Sequence, residues 1–124
     1  MNHQATDVKS YSEGMSSYEF LVNNINEDKE VIDNAVQSII STDTTGQFSA
    51  SAARFLAAID HESFAEEIDL LLKSTIDKDR DKHYLPDLLQ GIWGDDYMSR
   101  AEELRETDDN FRRIYKRVHP AGII

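Results

Sequence analysis

The chain has 124 residues, enough for one hydrophobic core, and its 40% apolar and 30% charged residues argue against wholesale disorder. No apolar run reaches the roughly 18 residues of a membrane span, so no membrane contact is expected. Cysteine is absent, which excludes disulfides, thiolate metal sites and cysteine catalysis and fits a cytoplasmic location. The formal charge is −11, unevenly spread. Residues 112–124 carry four bases and no acid, so residues 1–111 carry 24 acids against nine bases, a charge of −15. Such a body repels phosphates, and no direct nucleic-acid binding is expected of it.

The predicted elements are all helical. The polar residues 1–10 read as a flexible N-terminal tail without the apolar core of a signal peptide. Residues 11–119 read as one helical domain and 120–124 as a C-terminal tail. Tyr11, Met15, Tyr18, Leu21, Val22 and Ile25 form a first apolar stripe at helical spacing, with Phe20 on the opposite side. Ile32, Ala35, Val36, Ile39 and Ile40 form a second, and Thr42–Gln47 has the composition of a loop. Ala52, Phe55, Leu56 and Ile59 make a third stripe; Phe64, Ile68, Leu71, Leu72 and Ile76 make a fourth. Between Ile59 and Phe64 the phase jumps by about 140°, so the chain must break there. Asp60 is the expected cap, with Ile59 and Phe64 as a hydrophobic staple.

Asp77–His83 is a charged connector. Pro86 suits the first turn of a helix whose apolar face is Leu85, Leu88, Leu89, Ile92 and Trp93, and Gly94 suits its end. Asp95 or Asp96 opens the next segment, with Tyr97, Ala101 and Leu104 inward. Phe111, Ile114, Tyr115 and Val118 continue in nearly the same phase. The capping residues Thr107–Asn110 between them leave one kinked helix or two helices open. The fold class that follows is all-α: an irregular bundle of five or six short helices in a single domain. A contiguous internal match exists between Leu72–Thr75 and Leu104–Thr107, 32 residues apart, but it is four residues wide and chance accounts for it.

Motifs that carry chemistry are scarce. Asp77, Asp79 and Asp81 occupy alternate positions of a loop between helices, as calcium ligands do, and are the weak metal candidates. Lys82 stands where the loop glycine belongs and Leu88 where the bidentate glutamate belongs, so no metal is expected. His61-Glu62 lacks the second histidine of a zinc-protease helix, since Ala65 holds that position. No Glu-x-x-His, nucleophile elbow or phosphate loop occurs, so neither catalytic residues nor a cofactor can be assigned. Arg112–His119 is basic and amphipathic, which complementation of a helix dipole explains.

The function expected is therefore non-enzymatic: a small acidic regulator, inhibitor or adaptor acting on a protein partner with a basic surface, with a DNA-charge mimic as a special form. The alternative is an enzyme or metal-dependent switch built from dispersed carboxylates, including the Asp77–Asp87 loop. The partner-binding candidates are Glu62, Glu66 and Asp69 on the polar face of the fourth helix. Phe20 and Leu70 join them, because both lie off their helices' apolar stripes.

Overall fold

The computed structural model describes the backbone of residues 2–120 and the side chains of residues 9–120. Among these the chain is all-α, with seven helices and no strand: α1 (Asn2–Asn23), α2 (Lys29–Thr42), α3 (Gln47–Asp60), α4 (Ala65–Lys78), α5 (Leu85–Trp93), α6 (Ala101–Thr107) and α7 (Asp109–Val118). A 3-10 turn, Tyr97–Arg100, precedes α6. Among the described residues no helix is long and apolar enough to cross a membrane.

Two local readings change. Helix α1 starts at Asn2, so residues 2–10 are helical although their polarity predicts a loose tail. They contain neither proline nor glycine, and nothing in them breaks a helix. Ile59 is 52% exposed and does not join its stripe. The chain breaks as the phase jump requires, but Asp60 caps the intervening turn, accepting from the Ser63 amide at 3.1 Å and the Ser63 hydroxyl at 2.8 Å. Residues 101–118 resolve into two helices, because Asp108 ends α6 with its own N–H and starts α7 by accepting from the Phe111 amide at 3.1 Å. Asp108 Oδ2 also takes the Trp93 indole N–H at 2.9 Å, which ties this break to α5. The expected C-terminal tail from 121 onward lies outside the described residues.

The helices form two layers. Helices α1, α3 and α5 stack in one, and α2, α4 and α7 in the other, with α1 paired to α2, α3 to α4 and α5 to α7. The core between them holds Leu21, Ile32, Ile39, Leu56, Ile68, Leu71, Ile76, Leu88, Phe111 and Ile114, all essentially inaccessible. Where α1 crosses α3 the approach needs a glycine: a Cβ on Gly14 would stand 2.5 Å from the Phe48 ring.

This layering has a period. Helices α2 and α4 start at residues 29 and 65, 36 apart. Residues 29–43 and 65–79 share Glu30/Glu66, Ile32/Ile68, Asp33/Asp69, Ser38/Ser74, Ile40/Ile76 and Asp43/Asp79. The shared residues do the same work in both copies. Ser38 bonds Ser17 of α1 at 3.0 Å, and Ser74 bonds Ser49 of α3 at 2.8 Å. The Ile40 carbonyl of α2 accepts from Lys78 of α4, and the Ile76 carbonyl of α4 accepts from Arg117 of α7. Asp43 and Asp79 each end one helix and cap the next. Asp43 accepts from the amides of Thr45, Gly46 and Ser49, and Asp79 from those of His83, Tyr84 and Leu85. Gly46 lets the two loops meet: its φ is 92°, and a Cβ there would lie 3.2 Å from Asp79 Cβ. The bundle is thus a short stack of helical hairpins, in which each unit buries its neighbour's face.

Candidate functional site

Side-chain pairs at both ends show that α2, α4 and α7 run parallel. Lys29 meets Glu67 at the N-terminal ends of α2 and α4, and Lys78 meets Ile40 at their C-terminal ends. Asn110 meets Asp69 and Arg117 meets Ile76 in the same way between α4 and α7. Equivalent positions of the repeat therefore face equivalent junctions, which exposes a difference between them.

At the α4–α7 junction Asp69 is satisfied. It accepts from the Asn110 amide at 2.7 Å and from Lys73 Nζ at 2.7 Å. Burial pushes this carboxyl up, but the two donors outweigh it and hold Asp69 below the usual carboxylate range. At the α2–α4 junction the equivalent residue, Asp33, meets another acid, Glu67. Glu67 is only 3% exposed; its Oε2 receives Lys29 Nζ at 2.5 Å, while Oε1 accepts from no amide, hydroxyl or cationic group among the described residues. Asp33 is raised above its ordinary value, first because its carboxyl shares a hydrogen bond with Glu67 and then by burial. Burial pushes Glu67 up as well, but the bonds to Asp33 and Lys29 prevail and leave it lowered. Lys29 lies 3.7 Å from Asp33 and 3.5 Å from Glu66. The Glu67 bond keeps this ammonium firmly protonated.

These groups line a groove of about 180 Å³ between α2 and α4, with Asp33, Glu66 and Glu67 on its acidic side and Val36, Gln37 and Leu70 beside them. Three carboxylates face one ammonium, a formal surplus of two negative charges. The volume is below the roughly 300–1,000 Å³ of small-molecule pockets and suits one side chain. A guanidinium or ammonium entering it offers three to five N–H donors to acceptors already in place.

The candidates read from the sequence fall apart in space. Glu66 and the 42% exposed Leu70 both line this groove. Glu62 is exposed in the turn before α4, and Asp69 is engaged at the other junction. Phe20 is 49% exposed on α1, which packs mainly on α2 and α3 rather than on α4. Asp79 is 3% exposed with both oxygens bonded to backbone amides, whereas Asp77 and Asp81 are exposed, so the three do not converge on an ion. Among the described residues no group of three His, Cys, Asp or Glu is placed to hold a metal. Asp33 and Glu67, the residues that make the groove unusual, are absent from the sequence-based candidates. Glu67 had a signal: it lies three residues after Phe64 and four before Leu71, an acid on an apolar stripe.

Two other grooves carry no comparable strain. One, about 700 Å³, lies between α6 and α7 and mixes Glu102 and Glu106 with Arg105, Arg112 and Lys116. Another, lined mostly by bases, joins the C-terminal ends of α4 and α7. No family model matches the chain, and neither a curated protein nor a solved structure does.

Proposed function

We propose that this protein is a non-enzymatic binding module that captures a basic side chain of a protein partner in the α2–α4 groove. One observation carries the reading: a carboxylate oxygen of Glu67, buried without a donor, beside two further carboxylates and an exposed leucine. Leaving such a group unsatisfied is destabilising by about 1–3 kcal/mol. A cation docked on the exposed Glu66 and half-exposed Asp33 carboxylates beside it would offset the surplus charge, and burying that cation against Leu70 would exclude water from the contact. The −15 body would speed encounter with a basic partner by long-range attraction. The alternative placed on the Asp77–Asp87 loop gains nothing, because Asp79 spends its carboxylate on holding that loop closed.

The test is association of a synthetic peptide carrying arginine flanked by leucines, followed by stopped-flow fluorescence. Glu66→Lys should slow association, and raising salt from 0.1 to 1 M should do the same as the Debye length falls from about 10 to about 3 Å. An on-rate indifferent to both would remove the acidic groove from the account. Large losses from Phe20→Ala with none from Leu70→Ala would move the interface to α1.

A further inference from the structure

We infer that the groove at the C-terminal ends of α4 and α7 is a binding site for a phosphate monoester. This groove, about 300 Å³ in volume, is lined by Arg80, Lys82, Arg113, Arg117, Asp77 and Pro120. Four bases against one acid leave a local charge of +3 on a chain whose net charge is −11.

Dipole compensation explains only part of this concentration. Parallel α2, α4 and α7 bring their negative C-terminal ends together, and bases are favourable there. Lys78 and Arg117 answer that need directly, by donating to the Ile40 and Ile76 carbonyls. Arg80, Lys82 and Arg113 do not: they make no ion pair and no side-chain hydrogen bond among the described residues. Lys82 is moreover held at φ 59°, the described non-glycine residue with left-handed backbone. A lysine adopts that region less readily than glycine or asparagine, and its place in a basic groove points to use of the side chain. Arg113 and Arg117 stand four apart on α7 and share a face, and the Ile76 bond orients Arg117 at the groove.

The ligand chemistry follows from charge and size. Planar guanidinium groups and a lysine are the side chains that recognise a phosphate dianion. The volume falls at the lower end of small-molecule pockets and accommodates a phosphate with a few attached atoms. A polyanion such as DNA would have to lay further phosphates over the acidic body within a Debye length of about 8–10 Å, which disfavours it. The shared chemistry is thus a single phosphate monoester, whether carried by a small molecule or by a phosphorylated side chain.

The experiment is amide NMR titration of the full chain at constant ionic strength with O-phosphoserine, a phosphoserine peptide and a short DNA duplex, against chloride. Saturable shifts at residues 80–82 and 113–117 are expected with both phosphoserine probes and not with chloride. Tighter binding of the peptide would identify a phosphorylated segment as the source, and equal binding a small molecule. Arg113→Ala and Lys82→Gly should each weaken binding by about tenfold. Lys82→Gly separates site from fold, because glycine relaxes the left-handed backbone and should leave the melting temperature unchanged or higher. No saturation by about 20 mM, affinity unchanged in both variants, or tighter binding of the duplex than of either phosphoserine probe would overturn the inference.

Discussion

Replacing Asp33 by asparagine should stabilise this protein at pH 7. The substitution gives the α2–α4 junction an amide–carboxylate pair like that of the α4–α7 junction, where Asn110 satisfies Asp69 at 2.7 Å, with the roles of the earlier and later helix exchanged. At position 33 the new amide faces Glu67, whose Oε1 lacks a donor. Satisfying it recovers a hydrogen bond to a charged group, about 1.5–3 kcal/mol. Against this stands the loss of the 3.7 Å Lys29–Asp33 pair, whose partners are 63% and 47% exposed and therefore screened by solvent, a smaller effect. The net gain is about 1 kcal/mol, or roughly 3–5 °C in melting temperature for a domain of this size. Urea unfolding over a pH series reads both the gain and its origin. The folded state raises the Asp33 pKa, so the contribution of Asp33 is full below its unfolded value and is lost as pH rises through the folded value. The advantage of asparagine should therefore be largest at pH 7 and shrink as pH falls into the carboxylate range. Destabilisation at pH 7, or an equal gain at pH 3 and pH 7, would refute the carboxylate pairing.

Asp79→Ala removes the acceptor of three backbone amides at a buried loop and should destabilise by about 2–4 kcal/mol in urea. The same engagement means that millimolar Ca²⁺ should give no saturable heat by isothermal titration. Ile68→Ala and Leu72→Ala, both in the core, should each lose about 2–5 kcal/mol; a loss below roughly 0.5 would mean that α4 faces the other way. Asp69, whose pKa the fold lowers, contributes stability above its unfolded value that is lost as pH falls through the folded one. Asn110→Ala should therefore narrow the acid limb of the stability profile; an unchanged limb would mean that the Asp69–Asn110 bond does not set it.

The core was largely legible because burial follows helical period. Ile32, Val36 and Ile39, then Ile68, Leu71 and Ile76, then Leu88 and Leu89, are buried where spacing puts them. Off-stripe Phe20 and Leu70 are exposed for the same reason. The 36-residue period was also present, but its six identities are scattered over fifteen positions with no contiguous word longer than Ile-Asp. The contiguous match at 32 residues pairs the middle of α4 with the last turn of α6, which do no common work. What spacing cannot give is which face meets which neighbour. Asp33 and Asp69 are the same residue in two copies of one pattern. Only the next helix in the stack, presenting Glu67 to one and Asn110 to the other, makes the first strained and the second quiet.

If the α2–α4 groove is kept electrostatically strained in order to bind a cation, stability and affinity move in opposite directions. Isothermal titration of the arginine-and-leucine peptide into the native chain and into Glu67→Gln, beside urea unfolding of both, tests it most directly. Glu67→Gln removes one of the three groove carboxylates while keeping its shape. Glu67→Gln should show equal or higher stability with affinity reduced about tenfold, as loss of a groove carboxylate requires. Affinity unchanged in a stable Glu67→Gln would contradict it, and would leave the buried carboxylate without the role assigned to it.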